Sequence, residues 1–164
     1  MSMRFSSITQ QLKDPAIQTR WRVIMPDQRN PMQYMAESVE AVFRGVSSKA
    51  RFAQAKSKHY PDASEIDALN IIFYETYDYE VTRYLERWRN KIRNKQGFYG
   101  MPAEYEKTIY VDMLHYDVNN YIIRFKYLKC WPIDSSPLSL TYEDSSGRIQ
   151  VNATFRVDDV EIIT

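Results

Sequence analysis

The strongest constraint on the fold is an alternation of apolar and polar side chains close to the end of the sequence. Apolar residues occupy every second position of residues 148–158: Ile149, Val151, Ala153, Phe155 and Val157. Successive side chains of a β-strand point to opposite faces of a sheet, so this period of two predicts a strand with one buried and one polar face. The fold must therefore include a sheet that is covered on one side.

Segments rich in β-branched and aromatic residues predict further strands. They cover residues 21–25, 39–46, 66–74, 105–116, 121–131 and 138–142, with turns at 117–120 and 143–147. Seven or eight strands without an internal repeat or linker predict one mainly β domain over residues 1–164, built as a β-sandwich or partly closed barrel. It would comprise an N-terminal segment (1–20) and a C-terminal β half (105–158).

One strong helical pattern covers residues 79–93. Apolar residues recur there at helical spacing: Val81, Tyr84, Leu85, Trp88 and Ile92. Asp78 is the predicted N-cap, and Gly97 is the predicted left-handed residue after the C-terminus. A single apolar stripe predicts a helix that lies on a sheet with its other face free. Residues 4–13 predict at most a second, short helix.

Residues 47–60 differ from the rest of the sequence because they are polar, basic and poor in apolar side chains. They predict an extended arm or long hairpin that projects from the body and ends at Pro61-Asp62. The whole sequence is 44% hydrophobic, which is enough to bury a core. The predicted core contains Leu85, Trp88, Ile92, Ile109, Val111, Trp131, Val151 and Phe155.

The net charge of +1 hides a segregation of charge along the chain. Residues 41–61 contain five basic side chains and no acid, residues 83–95 are mostly basic, and residues 134–164 are mostly acidic. Three interpretations remain open: solvated faces, complementary surfaces of an ordered assembly, or phosphate binding by the helix. The third fits least well, because Tyr84 and Trp88 belong to the buried stripe and are not exposed between the basic residues.

Nothing in the sequence indicates a catalytic, cofactor or metal site. The common phosphate-binding, nucleophile and metalloprotease motifs do not occur. His59 and His115 lie far apart in the sequence, and Cys130 is the one cysteine, predicted to be a buried and inert thiol. No apolar run approaches the roughly 20 residues of a membrane span. We therefore expect a protein made in a reducing cytoplasm that is not an enzyme and requires no cofactor.

The sequence from 100 to 162 resembles the tail-tube proteins of T4-like contractile phages. The resemblance rests on ordered marks: Pro102-Ala103-Glu104-Tyr105, a strand pair around an Asp-containing turn, Trp131-Pro132, the segment PLSLTY, the acidic turn EDSS and the final alternating strand. The Trp-Pro with the strand, acidic turn and strand that follow it is the most specific of these marks. Before residue 100, this sequence and the tail-tube proteins share only the order of the predicted elements.

The resemblance implies a subunit that forms hexameric rings, stacked helically into a hollow tube inside a contractile sheath. Its implied partners are further copies of itself, the tail sheath protein, the baseplate or tube initiator, the tail terminator, and DNA that passes without specific binding. The implied location is the virion tail. A tube-initiator or baseplate ring protein, and a tube subunit of a phage-derived injection system, are the alternatives within this family.

Two surfaces follow as hypotheses. The arm would make the contact between rings, through Lys49, Arg51, Phe52, Lys56, Lys58 and His59. The helix would face outward to the sheath, through Arg83, Arg87, Arg89 and Arg93. A different class of protein, a monomeric β-barrel that binds a ligand or single-stranded nucleic acid, would instead stay monomeric and carry a ligand-sized cavity.

Overall fold

A computed structural model describes residues 20–27, 35–53, 56–115, 120–135 and 147–164. The strands are β1 (Trp21–Ile24), β2 (Ala36–Glu40), β3 (Arg44–Ala53), β4 (Lys56–Ile66), β5 (Leu69–Tyr74), β6 (Lys107–Leu114), β7 (Tyr121–Ser135), β8 (Gln150–Arg156) and β9 (Asp159–Ile163). The helices are α1 (Glu80–Ile92) and α2 (Pro102–Tyr105). Within these ranges neither helix has the length and apolar content to cross a bilayer.

Seven of the strands form one antiparallel sheet that changes direction at β7. The order is β1-β6-β7-β8-β5-β2, and β9 also pairs with β7. The first part of β7 pairs with β6 and β9, whereas residues 131–135 pair with β8. Lys129, at the junction, adopts a left-handed backbone with φ 52°. This long strand therefore belongs to both halves of the sheet, and over the described residues these halves do not close into a barrel.

The two halves of the sheet contribute to one hydrophobic core. Val23, Val111 and Tyr127 come from one half, and Ile71 and Phe155 come from the other. Strands β5 and β8 each place every second side chain in this core. The mainly β fold class predicted from the sequence is confirmed, and the alternation over 148–158 corresponds to β8.

Several predicted strand limits were wrong. The strand predicted at 39–46 is two strands, because residues 41–43 leave the sheet between β2 and β3. The strand predicted at 66–74 begins at Leu69, since Ile66 is the last residue of β4. Strand β7 extends beyond residue 131 to Ser135, β6 starts at Lys107 after the short helix α2, and β9 was not predicted at all. The predicted elements at 4–13 and 138–142, and most of the two predicted turns, lie outside the described residues.

The helix predicted at 79–93 is confirmed as α1, but both of its predicted caps were wrong. Tyr79, with φ 54°, occupies the N-cap position and makes no side-chain cap bond. The carboxylate of Glu75 instead accepts hydrogen bonds from the amides of Val81 (3.1 Å) and Thr82 (2.9 Å). Gly97 has a positive φ of 90°, yet it lies in the turn after the helix and not at its end.

The predicted arm is a hairpin made of β3 and β4, longer than the sequence indicated. Strand β4 continues through Pro61 to Ile66, so the predicted end at Pro61-Asp62 was wrong. Proline has no amide hydrogen and interrupts a regular ladder. The hairpin accommodates it at an irregularity of the register between Val46 and Ser48, where Pro61 lies opposite Ser48.

Candidate assembly surfaces

The hairpin is the most exposed element of the described structure. Its strands form a separate two-stranded sheet, paired with each other over nine registered positions from Arg44–Ile66 to Ala53–Lys56. Every residue of β4 before Ile66 is exposed, and the Phe52 side chain is 83% exposed. A two-stranded hairpin in water is marginally stable without a packed face. This hairpin therefore presents both of its faces to a partner or to solvent.

The strand register places the cations of the hairpin on one face. Residues directly opposite each other in an antiparallel pair share a face, as do residues two apart in one strand. Arg51 lies opposite Lys58, and Lys49 lies opposite Tyr60. Lys56 joins them because it is two residues before Lys58. The charged groups of Arg51 and Lys58 lie 5.9 and 5.5 Å from the centre of the Tyr60 ring, on this same side.

The other face of the hairpin is nearly neutral. It presents Phe52 opposite Ser57 and Ala50 opposite His59. The six residues that the sequence assigned to the arm contact are thus all exposed, but they divide between the two faces. The sequence did not indicate this division, because it depends on which residue of β3 lies opposite which residue of β4.

A groove lies at the root of the hairpin. It has a volume of about 700 Å³ and runs between the start of the hairpin and the segment that links β8 to β9. Its charged lining residues are Glu65, Asp67, Asp158, Asp159, Arg44 and Arg156. Arg44 forms an ion pair with Asp159, and Lys129 lies 3.2 Å from the carboxylate of Asp158. Carboxylates therefore outnumber cations along this groove.

Helix α1 buries one side and exposes a basic one. Val81, Leu85 and Trp88 are buried, and the indole nitrogen of Trp88 donates to the carbonyl of Tyr105 at 2.7 Å. The ring centre of Trp88 lies 5.6 Å from that of Phe155, so the helix packs on the face formed by β8. The apolar side chains predicted for the core lie here and in the sheet, but Ile92 and Trp131 are only partly buried.

The basic side chains of α1 do not form a uniform surface. Arg83, Arg87 and Arg93 are exposed, and the guanidinium of Arg93 lies 5.4 Å from the ring centre of Tyr99. Arg89 is partly buried, and its Nη2 atom is buried without a hydrogen-bond partner among the described residues. Three of the four predicted outward arginines thus point to solvent.

A buried carboxylate on the sheet was missed by the sequence interpretation. The Asp112 side chain is fully buried between Arg22 of β1 and Arg124 of β7, which flank it in the strand register. Arg22 Nε donates to it at 3.0 Å, and Arg124 Nε donates at 2.6 Å. Burial alone would raise the pKa of Asp112, but these hydrogen bonds outweigh it and lower the pKa.

The remaining groups of possible chemical interest are separated. His59 lies in the hairpin and His115 lies at the end of β6. Cys130 is buried as predicted, and burial raises the pKa of its thiol to about 12, which keeps the thiol protonated and unreactive. In the described ranges, no three His, Cys, Asp or Glu side chains converge as metal ligands.

Family-model and structure comparisons both find similarity to tube proteins of phage tails or contractile injection systems. The family model for phage tail tube protein matches residues 42–160. A search of curated protein sequences found no match. A sheath/tube terminator of the extracellular contractile injection system PVC, in the extended state, superposes with a TM-score of 0.74 at 14% identity, covering 93% of this chain and 99% of that one.

Two further solved structures are similar. The tube-terminating cap of the anti-feeding prophage has a TM-score of 0.74 at 14% identity, with 99% of each chain covered. The extended sheath-tube complex of PVC has a TM-score of 0.62 at 17% identity, again with 99% of each chain covered. At these identities the likeness establishes a common fold.

Proposed function

Since this chain belongs to the phage tail tube protein family, we propose that it is a structural subunit of the inner tube of a contractile phage tail. In this role it forms stacked hexameric rings and a conduit for DNA, and it performs no catalysis. Its partners would be copies of itself, the sheath, and the proteins at the two ends of the tube. Its location would be the tail of the assembled particle.

The observation that carries the proposal is the exposed hairpin. Burial of apolar surface supplies most of the stability of a strand pair, and beyond the contact of Ile66 with the core the described residues provide almost no such cover for β3 and β4. Contact with a second copy would supply it. A subunit whose projecting element meets a different surface on the next copy makes a heterologous contact, which stacks openly along an axis.

Lateral contacts within a ring have a second support. Among the described residues, β1, β2 and β9 each pair along only one edge. The other edge of such a strand offers main-chain donors and acceptors to a neighbouring molecule. We propose that neighbouring subunits of one ring use these edges, whereas the hairpin connects successive rings.

The test is the assembly state of a variant without the hairpin. Residues 47–60 would be replaced by a short Gly-Ser linker, and the native chain and the variant would be compared by negative-stain electron microscopy and sedimentation. We expect stacked rings from the native chain, and soluble subunits or single rings from the variant. Normal tubes without the hairpin would contradict the role given to it.

The exposed face of α1 is proposed as the contact with the sheath. Reversal of Arg87 and Arg93 to glutamate should weaken sheath attachment and leave tube formation intact, because neither side chain belongs to the core. Co-sedimentation of preformed tubes with purified sheath protein measures this. The matched control reverses Lys95 and Arg148, which are exposed cations outside both α1 and the hairpin, and unchanged sheath binding by the helix variant would refute the placement.

A ring protein at one end of the tube is the second candidate function. It is favoured by the two terminator-type structures, whose TM-scores of 0.74 exceed the 0.62 found for the sheath-tube complex. Copy number distinguishes the candidates. Quantitative mass spectrometry of purified particles should find many rings of a tube subunit, or one ring of an end protein. A tube subunit of a phage-derived injection system would share the first result but would carry no DNA.

A further inference from the structure

We propose that the basic face of the hairpin tip binds the acidic groove at the hairpin root of a second copy of this chain. This inference rests on the proposed tube function and specifies the two surfaces that would meet between stacked rings. Apart from Asp159, the first residue of the edge strand β9, and Asp158 just before it, the contact involves neither the helix nor the edges of the main sheet.

The first support is an uncompensated like-charge pair. Arg51 and Lys58 lie directly opposite each other in the hairpin register, on the same face as Lys49 and Lys56. Like charges at directly opposed positions destabilise a strand pair. None of these four cations takes part in an ion pair within the described residues, whereas cations elsewhere, such as Lys126 with Glu161, do. Negative charge from outside the molecule would relieve the repulsion.

The second support is the polarity of the hairpin along its length. The tip carries the four cations, while the root carries Asp62 and Glu65, followed by Asp67. Of the carboxylates that line the groove, Asp158 and Asp159 already have cations from this chain, but Glu65 and Asp67 have none among the described ion pairs. They are exposed and available to a partner.

Geometry prevents the two ends from meeting within one molecule. The pair Ala53–Lys56 and the pair Arg44–Ile66 are nine residues apart along β3, which is about 30 Å at the rise of a β-strand. A second copy translated by about one hairpin length would bring its groove to the tip of the first. The same contact repeats at every copy, so the stack grows without closing.

Charge reversal with rescue tests the inference on the full chain. One variant carries Arg51→Glu and Lys58→Glu, a second carries Glu65→Lys and Asp67→Lys, and a third carries all four changes. We expect each of the first two variants to raise the protein concentration needed for stacking about tenfold or more. The third variant should restore most of the native stacking, and high salt should weaken the native stack. Turbidity, sedimentation and negative-stain microscopy measure the stacks.

The matched control adds two carboxylates to the other face of the same hairpin, through Ala50→Glu and Ser57→Glu. It should stack as the native chain does. If the tip variant also stacks normally, the basic face is not the contact. If the tip variant fails but the groove variant stacks normally, the acceptor lies elsewhere on the partner. A native chain that never forms stacks would refute the proposed function itself, separately from this inference.

Discussion

The main sheet and the hairpin use the same antiparallel pairing and differ in what covers them. Strands β5 and β8 place Leu69, Ile71, Phe73 and Phe155 in a closed core. The hairpin has a ladder of similar regularity but leaves Phe52 and Val46 exposed. Hydrogen bonds fix register in both places, but apolar burial gives independent stability to the main sheet only.

The two regions also differ in how they treat charge. In the main sheet, the carboxylate of Asp112 lies between two guanidiniums on neighbouring strands, so opposite charges alternate across the register. In the hairpin, Arg51 faces Lys58 and no acid follows within the tip. The Asp112 cluster of the sheet is neutralised in large part within the chain, whereas the tip cations of the hairpin have no ion pair among the described residues.

The largest expected contrast comes from two phenylalanines. Phe155→Ala removes a fully buried ring that contacts Trp88 and should lower the free energy of unfolding by about 4 kcal/mol. Phe52→Ala removes an exposed ring and should change it by less than about 0.5 kcal/mol in the isolated subunit. Urea denaturation of unassembled protein measures both. If both variants lose the same free energy of unfolding, Phe52 must be packed against other side chains in the isolated subunit, contrary to its exposure in the structure.

A smaller effect is expected at the buried carboxylate. Asp112→Asn should cost about 2 kcal/mol, because two guanidiniums lose their counter-charge but remain partly in water. The pKa of Asp112 is lowered in the folded state, so its contribution is present above the unfolded value near 4 and is lost as pH falls through the folded pKa.

The pH dependence of the same variant provides the check. Urea midpoints of the native chain should fall steeply from about pH 4 downward, and those of Asp112→Asn should fall less, since an amide does not titrate. Asp159→Asn serves as the control. Asp159 also pairs with an arginine, Arg44, but in a more exposed position, so the urea midpoints of this variant should follow those of the native chain more closely than those of Asp112→Asn do. A parallel loss in the native chain and Asp112→Asn would contradict the assignment.

The smallest effect concerns the hairpin alone. Arg51→Thr removes one member of the like-charge pair and should stabilise the hairpin of the isolated subunit by about 0.5 kcal/mol. Hydrogen exchange at the amides of β4 would report it as slower opening. Lys49→Thr removes an equal charge that lies opposite Tyr60 and not directly opposite a cation, and should slow exchange less. If both variants behave alike, local repulsion is not a feature of the hairpin.

The sequence predicted well those elements that form because of the apolar pattern within a single segment. The period of two in β8 and the apolar stripe of α1 reflect burial of one side, and both are visible in a single segment. The predicted N-cap at Asp78 failed because the amides of α1 are bound by Glu75, which is held in place where β5 ends. A cap supplied from a neighbouring element depends on how the two elements pack.

The candidate surfaces were predictable in part for the same reason. The basic composition of residues 47–60 indicated a projecting arm, and the structure contains one. Its division into a charged face and a neutral face depends on the pairing of β3 with β4, which composition cannot specify. The cluster around Asp112 was missed because Arg22, Asp112 and Arg124 are far apart in sequence and become neighbours only through the pairing of β1, β6 and β7.

Strand β7 gives the molecule a mechanical property. Its first part is hydrogen-bonded to β6 and β9, and its last part is hydrogen-bonded to β8, with the left-handed Lys129 at the junction. If the two halves of the sheet are pulled apart, the load therefore falls on the covalent backbone of β7 and on its hydrogen bonds to β6, β9 and β8. The two halves are thus mechanically coupled through one continuous strand.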